Sequence, residues 1–452
     1  MKINIAGAGS GKTTKIADHI IECYESIDSG KIVYCIAYTN NAAACIEEKI
    51  KNHYGEVPRR IKISTIHSFL YQELIRPYYY LLYGRQFEQI SDRDLNKIKK
   101  KYYKAAIKKL EDNNILHIDA FAERAKWVFV KKSKDTKLIR KRRDLVRKNF
   151  ASYCGAIFLD EGQDINNDVL KLLVAFHEAG IEVNVMGDPK QDLRGYGNLK
   201  RLAEKYPEAV TYITECYRCP QKHLNLSNTI VDISEQQESF SDEEGELCIV
   251  FEKDVDRDFY GENTSFDLSY ISEKNSRFDT HKDVAIGVDT GVVQELEEIL
   301  CNHDPEMNKK TIKRAAYYYS DIMCENVRRG KGNNISQIIN YFVEVFGRQL
   351  EKFEYAKLAQ ALKAIDLNSE TNKIGVASIE AIKGMGKENC LFILTTDLAA
   401  YLFMDKTEAN KVKNKLYVAL TRSKKKLTIL ITVEVEKKYG RNFIEEYMSK
   451  FC

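Results

Sequence analysis

The chain has little of what would make it fibrous, exported or membrane-bound. Six prolines and 23 glycines in 452 residues are too few for collagen-like segments or long disordered linkers. No stretch approaches the roughly 18 consecutive apolar residues of a membrane span, so no membrane partner is expected. Met1 runs almost directly into the strand-like Ile3-Asn4-Ile5-Ala6, so no leader peptide is expected. The 11 cysteines, an odd count without an export signal, read as reduced core thiols of a cytoplasmic protein rather than a disulfide framework. Cys216-Tyr217-Arg218-Cys219 has zinc-like spacing, yet no second Cys pair or His pair lies nearby to complete four ligands.

What is present suits a soluble globular chain of two to four domains, with 44% hydrophobic and 30% charged residues. The formal net charge is only +4, but it is unevenly spread. Between Asp92 and Phe150 there are 20 Lys and Arg against 8 Asp and Glu, whereas Glu235 to Glu262 carries 11 acidic against 2 basic residues. Such asymmetry points to a polyanion partner for the basic stretch; a solvated helix face is the competing reading.

Strand and helix patterns alternate from the start. Ile3–Ala6, Lys31–Ala37 and Ile61–Ser64 read as strands, with apolar-striped helices after the first two, which means a parallel sheet covered on both faces. From about 76 to 152 the pattern turns helical, then strands resume at Ala156–Leu159 and Ile181–Met186. The expected organisation is therefore α/β: a first domain over 1–200 with a basic helical insertion, and a second over 201–452. The second has strands at Thr211–Thr214, Leu247–Phe251, Phe266–Ile271, Ile374–Ser378, Cys390–Thr395 and Leu427–Thr432, and a mostly helical insertion at about 291–373.

Two motifs carry chemistry. Ala6-Gly7-Ala8-Gly9-Ser10-Gly11-Lys12-Thr13 links a strand to a helix in the manner of a phosphate-binding loop. Glycines there let backbone N–H groups approach phosphate oxygens, and the helix start adds its positive dipole end. Lys12 would neutralise the β and γ phosphates and the Thr13 hydroxyl would ligate Mg²⁺. A functionless Gly-rich turn is the bland alternative; the Lys-Thr pair and the flanking elements weigh against it. The second motif is the apolar strand Ala156–Leu159 ending in Asp160-Glu161. Asp160 would hold the metal and Glu161 would orient and deprotonate the attacking water.

Asp160-Glu161-Gly162-Gln163-Asp164 resembles the Asp-Glu-x-Gln-Asp box of the UvrD/Rep-like superfamily 1 DNA helicases. Further boxes stand in that family's order: Ala37-Tyr38-Thr39-Asn40-Asn41-Ala42-Ala43, Ser64-Thr65-Ile66-His67-Ser68-Phe69, Gly187-Asp188-Pro189-Lys190-Gln191, Cys216-Tyr217-Arg218-Cys219-Pro220, Ser378–Gly384 and Leu416-Tyr417-Val418-Ala419-Leu420-Thr421-Arg422. Singly these are weak, but their joint order is specific. The resemblance implies two tandem RecA-like P-loop domains with ATP between them, bound along Ala6–Thr14 and by Tyr217, stacked on adenine, and Gly384. Gln191 would sense the γ-phosphate, and Arg218 and Arg422 would act as arginine fingers. Single-stranded DNA would run over Thr39, Asn40, Thr65, His67, Ser68 and Lys383, with Phe69 and Tyr196 stacking bases.

The sequence also departs from that pattern. No Gln-containing segment precedes the phosphate loop, Thr14 stands where an Arg often flanks adenine, and Met385-Gly386 replaces the usual Leu-Glu. Glu380 replaces a His, and both insertions are reduced. The compact build resembles the helicase-like subunit of Gabija-type anti-phage systems, which implies an OLD-family ATPase–Toprim nuclease as partner. Two functions are then expected as alternatives: an ATP-dependent single-strand DNA translocase or helicase moving 3′ to 5′, or a slow ATPase that senses DNA or nucleotide as a switch without translocating.

Overall fold

The computed structural model describes residues 1–28, 30–92, 95, 100–260, 265–280, 287–304, 307–328, 335–366 and 374–451. The chain divides into two units, Met1–Ser272 with Ile382–Cys452, and Glu273–Ala381.

In the first unit, six strands form one parallel sheet in the spatial order Ile61–Thr65, Ile32–Ala37, Cys154–Leu159, Glu182–Gly187, Lys2–Ala6 and Val210–Ile213. Both faces are covered, as the crossover helices of a parallel sheet require. Side-chain alternation splits each strand between two cores: Val33 and Cys35 pack with Ile16, Ile20 and Ile46, while Tyr34 and Ile36 pack with Phe69, Phe150 and Phe176 on the other face. A second parallel array in this unit runs Glu246–Phe251, Ser423–Ile431, Lys387–Leu394 and Leu268–Ile271. The α/β class with two RecA-like cores is thus as expected.

Two details differ from the sequence reading. The strand expected to open the second sheet instead closes the first: Val210–Ile213 pairs with Lys2–Ala6, Ile3 opposite Val210 and Ala6 opposite Ile213. The helix Asn198–Lys205 precedes it as a crossover, so the chain returns to the first sheet beyond residue 200. The basic insertion is also not wholly helical. Besides helices Arg76–Tyr83, Lys100–Asp112, Phe121–Phe129 and Lys137–Tyr153, it holds a short parallel pair, Gln89–Ser91 with Ile115–His117.

The second unit, taken by itself, has the expected helical content in Gly287–His303, Lys309–Arg328, Ile335–Phe346 and Lys352–Asp366. These close on a core that includes Leu296, Ala316, Ile339, Leu358 and Leu362, each fully buried. A short parallel pair, Phe278–Thr280 with Ile374–Ser378, completes it. Residues 367–373, at the end of the expected insertion, lie outside the described residues.

Candidate functional site

The strand Lys2–Ala6 delivers the phosphate loop to the C-terminal edge of the first sheet, where ligands bind in open α/β folds. Gly11 is the N-cap of the helix Lys12–Ser26, in left-handed conformation at φ 72°. Gly9 also has positive φ, 71°, and a Cβ there would stand 2.5 Å from the Cβ of Arg218 and 2.9 Å from Cys216 Sγ. Only glycine satisfies both constraints. Among the described residues no group accepts the N–H of Gly9, Gly11, Lys12 or Thr13. Unpaired amides at a helix start are a ready anion site. Ser10 Oγ donates to Gly7 O at 2.8 Å, and Lys12 Nζ donates to the carbonyls of Ala6 and Gly7 at 3.2 and 3.0 Å. Burial pushes the Lys12 ammonium down, opposed by the charges of Glu161, Asp188 and Asp160. Thr13 is half-buried beside it, and Thr14 is exposed, its hydroxyl accepting from Lys49.

The strand Cys154–Leu159 brings the two carboxylates to the same edge. Asp160 is buried, and Oδ1 accepts the N–H of Glu161 at 2.8 Å. Burial, then the adjacent Glu161 carboxylate, push Asp160 up to about 6. Glu161 turns out of the strand in the left-handed region, φ 54°, a conformation that costs a non-glycine residue energy and is common at functional sites. Its Oε2 accepts from Gln163 Nε2. Gln163 Oε1 in turn accepts the N–H of Asp188 at 2.9 Å, so Gln163 ties the general-base candidate to the next box. Asp188 is fully buried; burial works against its charge, but Lys190 and Lys12 hold it below the usual carboxylate range. Gln191 is buried and donates to Asp188 Oδ2 at 2.8 Å.

These groups fit Mg²⁺ and a triphosphate. Thr13 and Asp160 are a hydroxyl and a carboxylate of the kind Mg²⁺ takes together with phosphate oxygens. Asp160 keeps its second oxygen free of any bond among the described residues.

Residues beyond the last strand of the first sheet cap the loop. Tyr217 N–H donates to Gly9 O at 2.9 Å, which places the Tyr217 ring, 54% exposed, at the loop's rim beside Phe240. Arg218 is half-buried, reaching toward Thr421 O and Gly384 O at 3.4 and 3.5 Å. A Cβ at Gly386 would lie 2.9 Å from Arg218 Nε, so the glycine that replaces the usual acid makes room for this side chain. Cys216 and Cys219 are buried free thiols, Cys216 Sγ facing Ala8 O at 3.2 Å. Among the described residues no cluster of three potential ligands surrounds them or any other point.

Three of the expected site residues are engaged within the protein in this structure. Phe69 is 1% exposed and packs edge-on against Tyr34 and Phe176, so it stacks no base. The residues after the strand Ile61–Thr65 enter a helix at once, and that helix turns Phe69 inward. Lys383 is not free for DNA phosphate: its Nζ pairs with Asp164 at 2.7 Å and stands 4.0 Å from Glu161. Arg422 is fully buried, and its guanidinium donates to the carbonyls of Val418 and Met385 at 2.8 and 3.0 Å and to Thr421 Oγ1 at 3.1 Å. Burial, then nearby Arg218, push it to about 10. In this conformation Arg218 alone of the two arginines stands against the phosphate loop.

The remaining DNA candidates share one edge. Ala37 and Thr65 are register partners in adjacent strands, which places Thr39 and Asn40 beside Thr65, His67 and Ser68. Thr39 and Thr65 cap helix starts, each accepting an N–H with its hydroxyl oxygen, and each O–H stays available to a phosphate. His67 is exposed. Tyr196 is 37% exposed with the Arg194 guanidinium 6.0 Å from its ring. Gln163, Lys190, Gln237 and Tyr417 line the loop or its neighbours without having been assigned roles from sequence. Gln163 and Tyr417 sit inside recognisable boxes, whereas Gln237 lies in none.

No helix among the described residues is long and apolar enough to cross a membrane. Residues 1–195 match the family described as an AAA domain. The chain is also similar to the Gabija protein GajB of Bacillus cereus (strain VD045), 28% identical over 230 residues, which are 49% of this chain and 45% of that protein. The chain thus spans about half the length of the curated relative it matches. With the loop geometry, these likenesses support a helicase-like P-loop protein that binds nucleotide.

Proposed function

We propose that the chain is an ATP- and Mg²⁺-dependent translocase on single-stranded DNA, moving 3′ to 5′, with hydrolysis coupled to closure between two RecA-like halves. The observation that carries this reading is the convergence on one loop of Lys12, the Asp160-Glu161 pair at the first sheet's edge, and Tyr217-Arg218 from beyond that sheet's last strand. When bound, Mg²⁺ would screen the phosphate charge, with Thr13 and Asp160 holding it. The four unpaired amides and Lys12 seat the phosphates. Glu161, oriented by Gln163, accepts a proton from water. Tyr217 offers its exposed ring to the base. Arg218 meets the charge that develops in the transition state, so turnover depends on the halves being closed. Thr39, Asn40, Thr65, His67, Ser68 and Tyr196 form the strand-binding edge.

The likeness to a Gabija protein supports a role in anti-phage defence beside a nuclease of the OLD-family ATPase–Toprim type, in the cytoplasm. A second reading, a slow ATPase that switches such a partner without moving, is favoured by two features: Arg422 is bound to backbone carbonyls and Lys383 to Asp164. The test is displacement of streptavidin from biotinylated oligonucleotides. ATP-dependent release from the 5′ end only, abolished by Lys12→Ala, is expected. DNA-stimulated hydrolysis with no release from either end would favour the switch.

A further inference from the structure

The backbone of Ala8 is gripped from outside the loop at both its N–H and its C=O. Its N–H donates to Tyr417 Oη at 3.0 Å. Tyr417 Oη–H donates to Gln237 Oε1 at 2.7 Å. Gln237 Nε2–H donates to Ala8 O at 3.0 Å, closing a ring of three hydrogen bonds. All three residues are buried, at 1%, 2% and 4% exposure, so no bond in the ring competes with bulk water. Gln237 is itself fixed: its backbone N–H and C=O pair with the Asn228 side chain at 3.0 and 2.9 Å. The fit leaves no slack, because a Cβ on Gly7 would fall 2.2 Å from the Gln237 amide carbon.

Tyr417 lies on the helix Lys411–Leu420, and Asn414 lies three residues earlier on the same face. Asn414 Nδ2 donates to the carbonyls of Pro189 and Asp192 at 3.3 and 3.0 Å. The Lys190 ammonium stands 5.2 Å from the Tyr417 ring centroid. One short helix therefore holds, on one face, both the phosphate loop and the loop that runs from Asp188 to Tyr196 at the strand-binding edge. A helix moves as a rigid piece, so a shift of the Asp188–Tyr196 loop must either carry Tyr417 with it or break the Asn414 bonds.

We infer that Tyr417 and Gln237 are positioning residues that set the two peptide groups flanking Ala8 in the phosphate loop and transmit to them the state of the Asp188–Tyr196 loop. They touch no reacting atom. Their bonds fix where the loop's neighbouring free amides point when Arg218 is seated, and so make hydrolysis responsive to DNA. This deepens the proposed ATPase reading and rests on it.

The experiment compares the full chain with Tyr417→Phe, Gln237→Leu and the double variant. Steady-state ATP turnover is measured over a titration of oligo(dT), and hydrogen exchange of the segment Ile5–Lys12 is measured without nucleotide. Each single variant is expected to lower DNA-stimulated kcat by about 10-fold or more, the scale of one buried hydrogen-bond partner removed. KM for ATP should stay within about 3-fold, because the free amides and Lys12 remain. The double variant should be no slower than the slower single, since a ring breaks only once. Exchange at Ile5–Lys12 should quicken in every variant. Wild-type kcat in Tyr417→Phe, additive losses in the double variant, or unchanged exchange would each overturn the assignment. A wild-type chain that shows no DNA-stimulated turnover would defeat the ATPase reading instead, and the exchange result would still decide the ring.

Discussion

Lys383→Met removes the cation that holds two carboxylates beside the phosphate loop, and its cost can be worked from the geometry. At 2.7 Å the Lys383–Asp164 attraction is about 6 kcal/mol at an effective dielectric constant of about 20, before desolvation is counted. Removing one partner of a fully buried pair costs about 3–5 kcal/mol. These side chains keep 17% and 15% exposure, so about 2–3 kcal/mol is expected. At about 2 °C per kcal/mol for a unit of this size, Tm should fall by about 4–6 °C near pH 7.5. The pH dependence has a definite sign. Burial raises the Asp164 carboxyl above its ordinary value, and Lys383 opposes that rise. A raised carboxyl costs stability where it is ionised, and the cost disappears once folded and unfolded forms are both protonated. Without Lys383 the carboxyl rises further, so the Tm gap between wild type and variant should be widest above neutrality. It should close as pH falls through the raised carboxyl range toward about 4. Differential scanning fluorimetry across that range is the assay. An unchanged Tm at pH 7.5, or a gap that widens in acid, would refute the pairing.

Salt should discriminate within the basic helix Lys137–Tyr153. Arg140 and Lys141 are exposed, whereas Arg143 is fully buried against Asp135 and the Trp127 carbonyl. Arg140→Gln with Lys141→Gln should flatten the log–log salt slope of oligonucleotide binding by up to about 1.4, at about 0.7 per phosphate contact on single strands, whereas Arg143→Gln should lower Tm. Nucleotide choice should be loose: Tyr217 offers a ring face to any base, and Thr14 stands where an arginine often flanks adenine. GTP or dATP should support turnover within about 10-fold of ATP, about 1.4 kcal/mol, and a preference above about a hundredfold would mean other groups read the base.

How much of the fold and site is legible in the sequence depends on the range of the interactions that make each part. The phosphate loop and the Asp160-Glu161 strand end are local: a buried parallel strand is a run of apolar residues, and the residues directly after it stand at the sheet edge whatever the rest of the chain does. The sixth strand is ambiguous because Val210–Ile213 reads as a strand equally well in either sheet; only its pairing with Lys2–Ala6 decides. Phe69 comes after two polar residues of a box proposed to face DNA, and nothing in that spacing reveals that the helix turns it toward Tyr34. Lys383 and Asp164 are 219 positions apart, and Ala8 and Tyr417 are 409 apart. Such contacts exist only after closure, so no local pattern announces them. Arg143 sits in a run of four basic residues that looks uniformly solvated, yet helical periodicity turns one of the four inward to Asp135.

The central claim is that Glu161 is the base of a DNA-dependent ATPase. It is tested most directly by ATP turnover in excess Mg²⁺, with and without single-stranded DNA, for wild type and Glu161→Gln. Single-stranded DNA should raise wild-type turnover. The variant should bind a fluorescent ATP analogue as wild type does but turn ATP over about 10²–10⁴-fold more slowly, the usual worth of a positioned base. Wild-type turnover by Glu161→Gln would contradict the account.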